Sequence, residues 1–442
     1  MIEDAIRELA EGGHEIVRAV MAGGTEKLAT GTLELAGVRV TAGDEPEGVL
    51  AAVLDDVEPD AVVDLSDEPV LDARRRLRLA AIALERGVRY QGPDFGFNPP
   101  HRPRLSTKPT LAVISTGKRT GKTAVTGFAA RTLAERGIDP VIVAMGRGGP
   151  ADPEVLRGDE IELGPSDLIE LVRAGKHAAS DYIEDALLAR VPTVGCRRCG
   201  GGLAGGVEIS NVGRGVELAN GLSGDICVLE GSGSAVPPAH ADATILVVPA
   251  SVVDEYVTGY FGPYRLLLSD AIIVSMCEEP FGSALRVSSL TDSMRATLAT
   301  MEGGRRRQGE VEIVRTVFRP SPTRSVEGAR VCVATTAPEA VGRSITRHLE
   351  DEHGCHVVGI SHSLSNRARL QEELDDMVPR ADVLLCEIKA AAVDVATEKA
   401  LAAGLEVTYM DNVPVGVAGD DPEGAVERVA DLALSRHGDR SS

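Results

Sequence analysis

The chain has 442 residues, so we expect two or three domains instead of one ordinary core. Its formal net charge of −21 argues against general affinity for nucleic acid or anionic membranes, because both bind to cationic surfaces. The N-terminus lacks a signal-peptide pattern and no apolar stretch is long enough to span a membrane, so we expect a soluble cytoplasmic protein.

Two Pro-rich or basic stretches divide the chain into three segments. They are Asn98–Pro109 and Arg319–Gly328, and their composition predicts exposed linkers. The predicted domains are therefore residues 1–105, 106–325 and 326–442.

The first segment is predicted to be a small α/β unit without a catalytic signature. A helix-like run precedes the strand AVVDLS, residues 61–66. The stretch PVLDARRRLRLAAIALERG then predicts a helix with Pro69 near its start and Gly87 as its C-cap, and the short strand VRYQGP follows it.

The second and third segments alternate short apolar strands with helices. The strands of the second segment are LAVI, PVIVAM, ICVLE, TILVVP and AIIVSM, and those of the third are RVCVATT, HVVGIS, DVLLCEI and EVTYMD. Such alternation predicts mainly parallel sheets covered on both faces, and the third segment is typical of a Rossmann-like unit.

A glycine-rich turn, STGKRTGKTA at residues 115–124, connects the strand LAVI to a helix. A strand, a turn ending in GK[ST] and a helix form the P-loop arrangement, in which backbone N–H groups and the helix N-terminus bind phosphates. The lysine of such a turn reaches the β- and γ-phosphates, and the hydroxyl that follows it ligates Mg²⁺. The residues predicted to bind ATP are Gly117, Thr120, Gly121, Lys122, Thr123 and Ala124.

The turn departs from the full G-x-x-x-x-G-K-[ST] pattern because Thr116 occupies the first glycine position. It resembles the variant loops of ATP-dependent synthetases and partitioning ATPases, which often carry an extra lysine, and Lys118 is the candidate here. Glu230 ends the strand ICVLE, where a carboxylate can hold Mg²⁺ or its water, so Thr123 and Glu230 are the predicted metal residues. The predicted fold is α/β: a P-loop NTPase core with a mainly parallel sheet, flanked by an N-terminal α/β domain and a C-terminal Rossmann-like domain.

Cationic side chains follow several predicted strands, where parallel sheets place their ligands. A single arginine is usually a solvated surface charge, but repetition beside glycines favours binding of an anionic second substrate. The residues predicted to bind it are Arg147, Arg197, Arg198, Arg214 and Lys389.

Three further features are ambiguous. Cys196 and Cys199 form a lone CxxC without a second ligand pair, so we expect core or loop thiols, although a dimer could supply the missing pair. Asp181 and Asp185 lie on one helix face and could share a cation, with a solvated face as the default. His177 could contact substrate, but an exposed helix-cap histidine is the simpler interpretation.

In combination these motifs resemble the cyclic 2,3-diphosphoglycerate synthetase family. The matching stretches are DLSDEPVLD, ISTGKRTGKTAVTG, MGRGGP, GCRRCGGGLAG, LEGSGSAVPP and CEIKAAAVDV. The resemblance implies ATP and Mg²⁺, a core related to dethiobiotin synthetase, a homodimer, and closure of an intramolecular phosphoanhydride in 2,3-diphosphoglycerate. Two polyanions must meet in that reaction, so we expect a catalytic role for Lys118, Arg119, Lys122 and Glu230.

Two alternatives remain open at the level of the sequence. The same scaffold also serves dethiobiotin-synthetase-like ligases and small-molecule kinases. A nucleotide switch of the partitioning or metal-delivery type is the non-enzymatic alternative, suggested by the shared loop and the CxxC.

Overall fold

The computed structural model describes residues 2–23, 33–161, 164–174, 180–301, 310–389 and 391–441. The first segment forms two small sheets, one of β1, β3 and β2 and one of β4, β5 and β6. Its elements are α1 (Ile2–Glu11), β1 (Ala19–Met21), β2 (Leu33–Leu35), β3 (Val38–Ala42), α2 (Pro46–Val57), β4 (Ala61–Val63), α3 (Ala73–Glu85), β5 (Arg89–Gln91) and β6 (Gly96–Phe97).

Helix α3 begins at Ala73, four residues after Pro69, because the Asp72 carboxylate accepts from the Arg75 backbone N–H at 2.8 Å and caps the helix there. Gly87 follows its end with a φ of +77°, as its predicted capping role requires. The first segment is not independent of the second, because Tyr90 shares a buried core with Tyr264.

The second segment carries the P-loop turn between its first strand and first helix. Its elements are β7 (Thr110–Ser115), α4 (Lys122–Glu135), β8 (Pro140–Gly146), β9 (Glu154–Arg157), α5 (Pro165–Arg173), α6 (Asp181–Ala189), β10 (Pro192–Cys199), β11 (Ile209–Ser210), α7 (Val212–Asn220), β12 (Ile226–Glu230), β13 (Ala243–Pro249), α8 (Glu255–Thr258), α9 (Gly262–Leu268), β14 (Ala271–Ser275), α10 (Ala284–Met301) and β15 (Glu312–Pro322).

The third segment alternates strands and helices in the predicted order. Its elements are β16 (Arg330–Ala334), α11 (Gly342–His353), β17 (His356–Ser361), α12 (Arg367–Met377), β18 (Val383–Glu387), α13 (Glu398–Ala402), β19 (Glu406–Gly416) and α14 (Pro422–Ser441).

One continuous sheet runs through the second and third segments, in the order β11-β10-β8-β12-β7-β13-β14-β15-β19-β18-β16-β17, with β9 paired to β10. Strand β7 lies near the middle, parallel to β12 on one side and β13 on the other. All six of its residues are buried, so its uninterrupted apolar run follows from burial on both faces. The carboxyl ends of β12, β7 and β13 therefore share one edge with the P-loop turn.

The predicted linker at Arg319–Gly328 is wrong in part. Strand β15 extends to Pro322, pairs in parallel with β14 and then continues antiparallel along β19. The prolines that suggested a linker lie in a strand, where Pro320 and Pro322 stand opposite Asn412 and Met410. By contrast, residues 98–109 contain no helix or strand, as expected of a linker, although most of them are only partly exposed and Leu105 packs against the core of the second segment.

None of the described helices is long and apolar enough to cross a membrane.

Candidate active site

The P-loop turn requires glycine at Gly121, the residue directly before α4. Gly121 has a φ of +85°, and a Cβ built there would lie 2.1 Å from the ring of Phe318. Glycine is therefore required both by the left-handed backbone and by the close approach of β15. The turn is also bound to its neighbours, because the Ser275 hydroxyl donates to the Thr120 carbonyl at 2.7 Å.

Lys122 and Glu230 form a buried ion pair at the start of α4. Glu230 ends β12, the strand beside β7, so the sheet places its carboxylate directly against the P-loop lysine. Burial lowers the pKa of Lys122, but the carboxylates of Glu230 and Asp181 outweigh it and the net direction is upward. Burial raises the pKa of Glu230, although Lys122 and the Thr123 hydroxyl oppose that rise.

Helix α6 brings further carboxylates to the same place. Residues 182–189 of this helix are all buried, and Asp185 is only 1% exposed. The default prediction of a solvated acidic face is therefore wrong for Asp185. The sequence carried only a partial signal, because the six other residues of DYIEDALLA are apolar or aromatic while its three acidic residues share one helix face.

Glu184, the neighbour of Asp185, is paired with a cation from the third segment. Its carboxylate lies 3.5 Å from the Lys389 ammonium. Burial raises the pKa of Glu184 to about 8, with Lys389 acting in the opposite direction. The Glu184 carboxylate in turn raises the pKa of Lys389.

The residues at this edge fit a magnesium ion. The Oε2 atom of Glu230 and both carboxylate oxygens of Asp185 are buried without a hydrogen-bond partner among the described residues. Such oxygens are the hard ligands that Mg²⁺ prefers. The described residues hold no cluster of three or more His, Cys, Asp or Glu side chains that could bind a metal by themselves.

A cavity of about 790 Å³ opens beside the P-loop turn. It lies between the end of β10, the loop after β12 and the turn itself. Its lining residues are Gly117, Lys118, Arg147, Ala151, Arg197, Arg198, Cys199, Gly200, Gly201, Ile209, Ser210, Asn211, Gly233, Ser234 and Ala235. The structure thus brings one predicted catalytic lysine and three predicted substrate-binding arginines to a single cavity.

The cations of this cavity are not neutralised by neighbouring carboxylates. Lys118, Arg147 and Arg197 are exposed, and none of them forms an ion pair with another described residue. Arg198 differs, because it is 6% exposed and donates to the carbonyls of Gly200 at 2.7 Å and Ser232 at 2.6 Å. Burial and the nearby Arg147 lower the pKa of Arg198. In a chain of net charge −21, this concentration of positive charge is suited to an anion.

Two predicted substrate residues lie outside the cavity lining. Arg214 is on α7, where its guanidinium pairs with Asp152 at 2.9 Å. Lys389 faces Glu184 at the junction of the second and third segments. Arg119, at the exposed tip of the turn with a φ of +58°, is also absent from the lining.

The two cysteines of the CxxC point to different environments. Cys196 is buried against Gly215, and burial raises the pKa of its thiol to about 12. Cys199 is exposed in the cavity. His177 lies outside the described residues.

Models of three domains of cyclic 2,3-diphosphoglycerate synthetase match this chain. The N-terminal domain matches residues 1–98, the P-loop domain residues 110–302 and the C-terminal domain residues 322–413. The chain belongs to the cyclic 2,3-diphosphoglycerate synthetase family. The resemblance inferred from the motifs is thereby confirmed, as is the α/β fold built on a P-loop core.

Relatives in this family are similar to the chain over nearly its whole length. The cyclic 2,3-diphosphoglycerate synthetase of Rubrobacter xylanophilus is 46% identical, over 100% of this chain and 96% of its own. That of Methanothermobacter thermautotrophicus is 44% identical, over 98% and 93% respectively. Among solved structures, LpxK from Aquifex aeolicus in complex with ATP superposes with a TM-score of 0.40 and 13% identity, over 74% of this chain and 90% of that chain.

Proposed function

We propose that this protein uses ATP to convert 2,3-diphosphoglycerate into cyclic 2,3-diphosphoglycerate, with release of ADP and inorganic phosphate. The observation that carries the proposal is the cavity beside the P-loop, in which Lys118, Arg147 and Arg197 have no carboxylate partner among the described residues. A substrate with two phosphates would supply the anionic partner that these side chains lack. The family membership of the chain names the same chemistry.

The first chemical step is phosphoryl transfer to the substrate. An oxygen of one substrate phosphate attacks the γ-phosphorus of ATP, the bond from that phosphorus to the bridging oxygen breaks, and ADP leaves with the electron pair. Lys122 and the backbone N–H groups of the turn hold the ATP phosphates, while Lys118 and Arg119 screen the repulsion between the two anions. When ATP binds, the Lys122 ammonium must therefore leave its ion pair with Glu230 and contact a phosphate instead.

The second step closes the ring. An oxygen of the other substrate phosphate attacks the phosphorus of the activated one, and inorganic phosphate leaves. The arginines of the cavity bring the two phosphates of one molecule together against their mutual repulsion. No general base is needed, because the attacking oxygen is already anionic.

A magnesium ion would be held by Thr123 and Glu230 and would supply neutralisation of the phosphate charge. A homodimer and a cytoplasmic location are retained from the sequence as further parts of the proposal. Sedimentation of the purified protein tests the first, and fractionation of cells tests the second.

The test of the function is incubation with ATP, Mg²⁺ and 2,3-diphosphoglycerate, with the products followed by phosphorus NMR. We expect the two monoester signals to be replaced by those of a cyclic anhydride, with one ADP and one phosphate formed per ring. If the monoester signals persist although ATP is bound, the assignment of 2,3-diphosphoglycerate as substrate is wrong, whereas the assignment of the nucleotide site is unaffected.

Replacement of Arg197 tests the cavity as the substrate site. We expect Arg197→Ala to raise the KM for 2,3-diphosphoglycerate by about tenfold or more, since a charge-assisted contact to a phosphate contributes roughly 1.5–3 kcal/mol. The KM for ATP should change little. Arg214→Ala is the comparison. The sequence pattern predicts that this variant binds 2,3-diphosphoglycerate more weakly. The structure predicts no change in the KM, because Arg214 lies outside the cavity lining and pairs with Asp152. Equal effects of the two variants would argue against the cavity.

A further inference from the structure

Asp185 is buried close to Lys122 and Glu230 at the P-loop. Its helix, α6, packs against β8, β10 and α4, which is the helix that begins with Lys122. The Asp185 carboxylate is 1% exposed, and neither oxygen has a hydrogen-bond partner among the described residues. A buried carboxylate in that condition is costly, and native proteins rarely keep one without a compensating group.

Within the described part of the chain, no nearby cation is left to compensate it. Lys122 is paired with Glu230, and Lys389 faces Glu184. The groups that act electrostatically on Asp185 are Glu230, Glu184, Lys122 and Asp181, so carboxylates outnumber the ammonium at this point. Burial and the neighbouring carboxylates raise the pKa of Asp185. A cation at this place would compensate both the surplus of carboxylates and the unsatisfied oxygen atoms of Asp185.

The chemistry of the free oxygens selects the kind of cation. They belong to carboxylates, on Asp185 and on Glu230, at the edge of the sheet where the P-loop turn and α4 begin. A small divalent ion with several retained waters matches one or two such carboxylates, whereas a soft metal would need thiolate or imidazole ligands.

We infer that Asp185 is a third residue that would hold the divalent cation of the nucleotide site, together with Thr123 and Glu230, either directly or through a water of the ion. The inference rests on the proposed function, because it assumes that a metal–nucleotide complex binds at the P-loop. Asp185 then stays unpaired in the chain itself because its partner arrives with the nucleotide.

The experiment measures Mn²⁺ binding in the presence of ADP, without turnover. Free Mn²⁺ is followed by electron paramagnetic resonance, with ADP alone as the blank, for the wild type, Asp185→Asn and the exposed control Asp375→Asn. We expect Asp185→Asn to weaken Mn²⁺ binding by about tenfold to a hundredfold, the range found for metal-supporting residues, and Asp375→Asn to match the wild type.

Melting temperatures of the same proteins distinguish a metal role from a structural one. Without metal and nucleotide, Asp185→Asn should melt no lower than the wild type, because Asp185 has no hydrogen bond among the described residues to lose. With Mn²⁺ and ADP, the wild type should gain stability by ligand binding and the variant should gain less.

The outcomes separate the inference from the proposed function. Equal Mn²⁺ binding by Asp185→Asn and the wild type overturns the inference and leaves the function intact. A lower melting temperature of the metal-free variant also overturns it, since Asp185 would then be structural. If the wild type binds no Mn²⁺ with ADP and converts no 2,3-diphosphoglycerate, the proposed function itself fails.

Discussion

Gly121 shows how one residue determines the shape of the phosphate-binding turn. It combines a left-handed backbone with contact to Phe318, whose ring occupies the space that a Cβ would take. Gly117, at the other end of the turn, meets neither condition, since its φ is not positive and a Cβ added there would have nothing within 4 Å. Sequence alone gives these two glycines equal weight, but the structure does not.

The difference predicts that alanine costs stability at Gly121 but not at Gly117. Gly121→Ala should lower the stability of the ligand-free protein by about 1–3 kcal/mol, the cost of strained backbone, with the clash against Phe318 added to it. Gly117→Ala should change stability by less than about 0.5 kcal/mol, as expected for an unstrained site. Thermal unfolding without nucleotide measures both, and a comparable loss in the two variants would contradict the geometry.

At the scale of elements, a buried arginine on α9 joins the loops that form the cavity wall. Arg265 is 5% exposed and donates to the Ser234 carbonyl through Nε at 3.0 Å and Nη2 at 2.6 Å, and to the Leu203 carbonyl at 3.4 Å. No described carboxylate pairs with it, and burial lowers its pKa to about 10. Because Ser234 lines the cavity, Arg265 positions the wall without touching the space inside.

Arg265→Met should therefore affect the diphosphoglycerate more than the nucleotide. Loss of the guanidinium leaves the Ser234 carbonyl without its donors, so the cavity wall can shift. We therefore expect the KM for 2,3-diphosphoglycerate to rise by about tenfold, whereas the affinity for ATP should change by less than about twofold. Arg265→Lys should restore part of the effect, since an ammonium can still donate to Ser234. Steady-state kinetics and ATP titration measure the two quantities, and a parallel loss of both affinities would indicate general unfolding instead.

The elements that sequence predicted well are those whose signal is local. The strand–turn–helix around Lys122 follows from a buried apolar run and a glycine-rich turn, and β12 with Glu230 follows from the same kind of run. The contacts that sequence missed depend on distant partners. Arg198 donates to the Ser232 carbonyl, 34 residues away, and Lys389 faces Glu184 across two segments. Neither partner can be identified from spacing along the chain.

The same reason explains the error at the second linker. Proline in a strand is tolerated where the missing N–H is not needed, and β15 leaves β14 after Arg315, so that Pro320 and Pro322 lie where it pairs with β19 alone. Composition alone describes such a stretch as a turn or linker. The long strand instead makes the second and third segments share one sheet, so the P-loop and Lys389 are held in one framework.

At the scale of the whole molecule, Asp242 joins the C-terminal helix to the strand that carries the P-loop. Its carboxylate accepts from the Thr110 N–H at 2.9 Å and from the Thr110 hydroxyl at 2.8 Å, at the start of β7. Arg440 of α14 donates to it at 2.5 Å, and the imidazoles of His240 and His437 lie 3.5 and 3.6 Å away. The last helix is thus held at the end of the sheet opposite the nucleotide site.

The contacts of the Asp242 carboxylate predict that the stability of the protein depends on pH. Burial raises the pKa of Asp242, but hydrogen bonds from His240 and Thr110 outweigh it, so the folded-state pKa lies below the ordinary value of 3.8. A lowered pKa stabilises the folded state at every pH above that ordinary value, and the contribution is lost as the pH falls towards the folded-state value. Asp242→Asn should therefore melt lower than the wild type at pH 5, where the neighbouring imidazoles and the carboxylate are both charged, and the margin should shrink below about pH 4. Melting curves of both proteins between pH 3 and 5 measure this margin, and a margin that instead grows as the pH falls through this range would mean that Asp242 is not held as a charged group in the folded protein.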